Sequence, residues 1–298
     1  MSIQLDQVSA FMAAHARVLD RRRFEAVTDD SDTAREAIIR ALDAYRNDDG
    51  GYGWGLEPDL RSTESQPGGA QHALEALADA GPATSPHTTA LLDWLSSVTL
   101  PDGGLPFALA VTDPAACAPF WAHANPRESS LQISAAVATQ AHRVAHWDPA
   151  VKDHPWLETV TRYCFDAIRR IDETPFAYVL SFALQFLDVA SDTRPEAHEL
   201  LDHLGRFVPR DGALPVTGGA EGETLRPLLL APEPGRPIRD LLDPEAVSHD
   251  LDRLERAQLA DGGWTVDFTN YSAMAALEWR GYATVGAVAT LRMNGHCP

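Results

Sequence analysis

The sequence predicts an all-α fold: a single domain over residues 1–298, built as a ring of about five to six helical hairpins. Three observations lead there. A short Asp-Gly phrase recurs along the chain, each copy follows an amphipathic stretch, and most copies precede a more apolar one.

The phrase appears as Asp49-Gly50-Gly51-Tyr52, Asp102-Gly103-Gly104-Leu105, Asp211-Gly212-Ala213-Leu214 and Asp261-Gly262-Gly263-Trp264. Self-similarity of this kind marks a repeat architecture, in which each copy closes one supersecondary unit. Ahead of Asp49, residues Ala37, Ile38, Ala41, Leu42 and Tyr45 fall at helical spacing. Comparable stretches open near Pro86, Pro195 and Pro244 ahead of the other copies. Proline suits the first helical turn, where the missing N–H leaves no bond unmade. The second and third copies stand about twice as far apart as the others, and a fifth amphipathic stretch from Pro155 to Arg170 fills the gap. It closes at Asp172-Glu173-Thr174-Pro175, a turn without glycines.

Behind most turns lie segments that are apolar nearly all round, at 68–80, 128–144, 175–190 and 271–293. A helix that is apolar on every face is buried on every face. The alternation therefore predicts amphipathic helices in an outer layer around an inner layer, which a helix over about Gln4–Arg22 completes. One inner helix is missing. Pro227, Pro232, Pro234 and Pro237 stop a helix and predict an irregular segment in its place. No stretch of useful length alternates with the period of a strand.

Composition narrows the partners. Hydrophobic residues are 45% of the chain, enough for a large core, and charged residues are 22%. The formal net charge of −19 repels a phosphate backbone, so nucleic acid is not an expected partner. Anionic membrane surfaces are disfavoured for the same reason. Cys117, Cys164 and Cys297 are scattered and odd in number, which predicts no disulfide framework, a reducing compartment and a cytoplasmic location. The N-terminus has no basic run followed by an apolar one, so no secretory signal is expected. The longest apolar stretch, Phe176 to Val189, is too short and too polar to span a bilayer. His296-Cys297-Pro298 reads as a frayed end with no partner cluster. The oligomeric state is left open.

Gln258-Leu259-Ala260-Asp261-Gly262-Gly263-Trp264 resembles the Q-x-x-D-G-G-W repeat of squalene–hopene and related triterpene cyclases. The looser copies are similar to the D-G-G turns of protein prenyltransferase β-subunits, and together the copies bring nearly the whole chain into the resemblance. What the resemblance implies is an α/α toroid, with Gln258 and Trp264 bracing neighbouring turns. It also implies a terpenoid cyclase-like or prenyltransferase-like enzyme. The chemical motifs of those families do not carry over. No D-x-D-D is present; Asp29-Asp30-Ser31-Asp32 instead suits a helix N-cap at Ser31 or Asp32. Asp48-Asp49-Gly50-Gly51-Tyr52 lacks the third Asp of D-D-x-x-D. Ala115, Arg162 and Gly295 stand where a zinc prenyltransferase places the Asp of D-x-C. No metal and no cofactor is therefore expected, and any chemistry is acid–base.

Two connections carry more ionisable and aromatic residues than a turn requires. The first runs from Gly53 to Pro67. A carboxylate walled by apolar groups acquires a raised pKa, as a general acid needs, which makes Glu57 and Asp59 acid or base candidates. Trp54, Arg61 and Glu64 are substrate-binding candidates beside them, with Arg61 available to a substrate anion or to a neighbouring carboxylate. The alternative is a solvated loop with Arg61 paired to its neighbours. The second connection, Phe107 to Glu128, is long for a hairpin and fits a lid or binding loop. Its Phe120 and Trp121 suit an apolar ligand or a cation, His123 suits a base, and Asn125 and Glu128 complete the set. Alternatively the aromatics only pin the loop and His123 is exposed. Asp267 and Tyr271, before the last helix, are the remaining binding candidates.

The expected partner is a hydrophobic, isoprenoid-like small molecule in the ring cavity. A non-catalytic binding protein or a protein-interaction module on the same fold remains open.

Overall fold

The computed structural model describes residues 3–297. Helices take up 56% of the chain and strands 3%, which makes the fold all-α. The α-helices are α1 (Leu5–His15), α2 (Val18–Thr28), α3 (Asp32–Leu42), α4 (Pro67–Ala80), α5 (Thr88–Val98), α6 (Pro119–Ala122), α7 (Leu131–Ala145), α8 (Pro149–Lys152), α9 (Pro155–Arg169), α10 (Ala177–Ala190), α11 (Glu196–Gly205), α12 (Pro227–Leu230), α13 (Pro244–Arg256) and α14 (Ala273–Met293). The amphipathic stretches are α3, α5, α9, α11 and α13; the apolar ones are α4, α7, α10 and α14. Among the described residues no helix is long and apolar enough to cross a membrane. The chain folds as two compact units. One is Asp30–Glu173; the other joins the segment up to Asp29 with the segment from Thr174 onward.

In the unit Asp30–Glu173, α4 and α7 lie side by side, with α3 against α4 and α9 against α7. Small residues allow the close approach: Ala70, Ala73, Ala76 and Ala80 of α4 and Ala135, Ala138 and Ala141 of α7 are buried. The flanking helices contribute one apolar face each. In α3 this face is Ala34, Ile38 and Leu42, and in α5 it includes Leu91, Leu92 and Leu95. Ser31 caps α3, its Oγ accepting the Ala34 N–H at 3.3 Å.

The recurring phrase forms the same turn each time. Its second residue is left-handed: φ is 91° at Gly50, 91° at Gly103, 66° at Gly212 and 95° at Gly262. Glycine adopts this conformation without a steric penalty. The leading Asp accepts the N–H two residues on, from Gly51 at 2.9 Å, Gly104 at 3.1 Å, Ala213 at 3.1 Å and Gly263 at 3.2 Å. In the three Gly-Gly copies the loop is closed by Asn47 N–H to Gly51 O, Leu100 N–H to Gly104 O and Leu259 N–H to Gly263 O.

In the other unit, α14 packs against α1, α2 and α13, and α10 against α11 and α12. Gln258 Oε1 accepts the Gln4 N–H at 3.0 Å, which ties the last turn to the start of α1. Trp264 donates its indole N–H to Leu254 O at 2.8 Å and its backbone N–H to Thr284 Oγ1 at 3.0 Å. The two residues thus join the turn to α1, α13 and α14.

Three expectations are corrected. The N-terminal stretch 4–22 is not one helix. It breaks at Ala16 and Arg17, which are extended with ψ 153° and 154°, and α2 runs on to Thr28. The break lies against Gly281 of α14, where an added Cβ would come within 3.1 Å of Ala16 Cβ. The segment in place of the fourth inner helix is not wholly irregular. It holds α12 and a 3₁₀ turn over Pro237–Leu241, preceded by a two-residue antiparallel ribbon of β1 (Leu214–Pro215) and β2 (Thr224–Leu225). Buried aspartates hold it in place. Asp188 of α10 accepts the Ile238 N–H and the Arg236 Nε–H, both at 2.9 Å, and Asp250 of α13 accepts the Leu228 N–H at 3.0 Å. Finally, the C-terminal end is not frayed through Cys297. Gly295 turns with φ 74°, His296 N–H bonds Leu291 O at 2.8 Å, and Cys297 is buried.

Candidate functional site

The two connections singled out from sequence lie side by side in the unit Asp30–Glu173. The Gln66 side chain pairs in both directions with the Leu109 backbone, accepting at 2.8 Å and donating at 3.3 Å. Glu64 Oε1 accepts the Thr112 N–H at 3.1 Å. Asp59 O accepts the Ala118 N–H at 2.7 Å, next to a β-bridge between Leu60 and Cys117. Four contacts therefore zip residues 59–66 onto residues 109–118.

Below this seam three ionisable side chains meet. His72 and Glu75 stand three residues apart on α4, so they share one face of the helix. His72 Nδ1 is 3.0 Å from Glu75 Oε2, and His72 Nε2 is 2.8 Å from Glu57 Oε2. The other Glu57 oxygen accepts the Asp59 N–H at 2.9 Å, which fixes the carboxylate plane. All three side chains are buried. Burial by itself disfavours the imidazolium, but the hydrogen bonds and charges of Glu57 and Glu75 outweigh it and raise the His72 pKa to about 9. The cluster therefore carries a protonated imidazole near neutral pH.

An aromatic wall adjoins it. Trp121 is buried on α6, and Phe107 stacks on it with ring centroids 4.3 Å apart and planes 14° apart. Phe120 lies 5.7 Å from Trp121 and is 48% exposed, so the wall runs from solvent inward. A Cβ at Gly68, in the first turn of α4, would stand 3.2 Å from the Trp121 ring and 3.6 Å from Glu57 Cγ. The indole and the Glu57 side chain thus converge on the first turn of α4, where a Cβ would sit tightly against the ring.

The remaining sequence-chosen residues divide clearly. Asp59 is buried in the seam. Trp54 is 54% exposed, has φ 56°, and donates its indole N–H to Asn47 Oδ1 at 2.8 Å. Together with Gly55, Arg61, Ser62 and Thr63 it borders a small open cleft of about 170 Å³. Glu64 is a staple between the loops. Its bonds to Ser62 and Thr112 lower its pKa to about 2. His123 is exposed just beyond α6. Asn125 and Glu128 bond within their own turn, at 3.4 Å to each other and 3.1 Å from Arg127 N–H to Asn125 Oδ1. Asp267 and Tyr271 belong to the other unit, where Asp267 faces Arg226 at 3.6 Å and Tyr271 is 46% exposed.

Sequence reasoning missed His72 and Glu75. The available signal was their spacing on a helix otherwise apolar all round, since buried ionisable groups need partners.

No family model and no curated protein matches the chain.

Proposed function

We propose that the chain is a terpenoid cyclase-like or prenyltransferase-like enzyme that acts on a hydrophobic, isoprenoid-like small molecule by metal-independent acid–base chemistry. In this reading the hairpins close as an α/α toroid, supported by the repeated turn, and the protein works in the cytoplasm, supported by its free cysteines.

The observation that carries the proposal is the buried Glu57–His72–Glu75 cluster beside the Phe107–Trp121 stack. The Nε2 proton of His72 lies on a 2.8 Å hydrogen bond to Glu57. Moving it onto Oε2 yields a carboxylic acid and a neutral imidazole, so Glu57 becomes the proton donor. Glu75 holds the imidazole through Nδ1 and keeps Nε2 aimed at Glu57, a role a third group commonly plays beside a base. On the return step Glu57 takes a proton from the product-forming carbocation and passes it back to Nε2. The π faces of Trp121 and Phe107 stabilise positive charge developing beside them.

A thermal-shift screen with isoprenoid diphosphates and neutral terpenoids tests this. The proposal expects a ligand-dependent rise in melting temperature that Trp121→Ala abolishes. Glu57→Gln keeps the rise and loses turnover. Retained turnover in Glu57→Gln would overturn the role of Glu57, and a rise without any wild-type turnover would assign the site to binding alone.

A further inference from the structure

Asp252 and Glu255 stand three residues apart on α13, so both project from one face. His296 reaches the same place from the end of α14. Gly295, with φ 74°, reverses the chain there, and the His296 N–H bond to Leu291 O at 2.8 Å fixes the reversal. His296 Nδ1 then lies 3.5 Å from Glu255 Oε2. One donor atom from each of Asp252, Glu255 and His296 falls within 4.8 Å of the other two.

We propose that Asp252, Glu255 and His296 form a surface site for a divalent transition-metal ion of the Zn²⁺ kind. The donor set decides the class. Mg²⁺ and Ca²⁺ take oxygen ligands, whereas one imidazole with two carboxylates is a set that Zn²⁺ accepts, with water completing the tetrahedron. Zinc–nitrogen and zinc–oxygen bonds of about 2.0–2.2 Å in a tetrahedron need donors roughly 3.3–3.6 Å apart. The 3.5 Å His296–Glu255 separation already meets this, and Asp252 is exposed and able to rotate inward. Arg256 Nη2, 3.9 Å from Asp252 Oδ2, opposes the ion. The pair is largely exposed, so it is weak and readily exchanged. Nearly all the sequence distance in the site lies between α13 and the chain end, so a bound ion clamps α14 to α13.

The test is calorimetric titration of the metal-free full chain with ZnCl₂, then with MgCl₂, for wild type, His296→Gln and Asp252→Asn. The inference expects a Zn²⁺ site that Mg²⁺ does not fill, weakened about tenfold or more in each variant. Asp252 is exposed and His296 half-buried, so the metal-free melting temperature of each variant is measured alongside and is expected to change little. Equal Zn²⁺ affinity in His296→Gln, or Mg²⁺ binding as tight as Zn²⁺ binding, overturns it. So does the lack of any Zn²⁺ heat.

Discussion

Glu57 Oε2 and His72 Nε2 are 2.8 Å apart, joining a loop carboxylate to an imidazole on α4, both of them buried. The imidazole is held from its other side by Glu75 at 3.0 Å. Removing one partner of such a group leaves the rest desolvated without compensation, a loss of about 3–5 kcal/mol. We expect that loss for His72→Ala, read as a lowered urea midpoint, with a smaller one for Glu57→Gln, which keeps an acceptor oxygen.

The same cluster sets a pH dependence. The His72 pKa rises on folding from its ordinary 6.5 to about 9. Its stabilisation is therefore complete below about pH 6.5 and is lost as pH climbs to and through about 9. Urea midpoints of wild type should fall across that window more steeply than those of His72→Gln. Parallel curves would contradict the assignment.

Acid acts on a different residue. Glu64 is lowered to about 2, so its contribution is present above its ordinary 4.5 and is lost as pH falls toward about 2. Solvent screening keeps the effect small, because Glu64 is only partly buried. Glu64→Gln should flatten the acid limb of the stability curve and leave the alkaline limb unchanged.

Two glycines in equivalent turns should differ in cost. Gly103 and Gly262 share a left-handed φ, 91° and 95°, and alanine there costs about 1–2 kcal/mol from backbone conformation alone. At Gly103 the nearest atom to an added Cβ is 3.2 Å away; at Gly262 it is Gln7 O at 2.2 Å. Gly262→Ala should thus destabilise clearly more than Gly103→Ala, as measured by denaturant unfolding.

Asp188 is one anchor of the Pro-rich segment, beside Asp250. Asp188→Ala strips the Ile238 N–H of its acceptor and leaves Arg236 with Asp192 as its carboxylate partner, and we expect a loss of about 1–3 kcal/mol. Asp188→Asn, which retains one acceptor oxygen, should lose less. Hydrogen exchange at Ile238 gives the local readout.

Legibility in the sequence followed the range of the interaction. The turns were readable because a left-handed Gly and an Asp bonding two residues ahead are local features. The helices were readable because amphipathic and all-apolar patterns alternate. The break at Ala16–Arg17 was not, since no glycine or proline marks it and α14 lies against it. Glu57 was visible because its loop concentrates charge between Gly and Pro residues. His72 and Glu75 were hidden in an Ala-rich helix, and only the fold brings Glu57 onto them. The exposure of His123, one of the two readings the sequence offered, follows from the ending of α6 at Ala122. His296 found its carboxylates because Gly295 turns the chain back, a consequence of tertiary placement.

The central claim is that Glu57 exchanges a proton with a hydrophobic substrate. The most direct measurement is incubation of the full chain with a panel of isoprenoid diphosphates and neutral terpenoids in D₂O, followed by mass spectrometry of the recovered compounds. The account predicts deuterium incorporation into one class of compound by wild type, and its loss in a folded Glu57→Gln variant. Deuterium incorporation that persists in Glu57→Gln, or no incorporation by wild type across the panel, would contradict it.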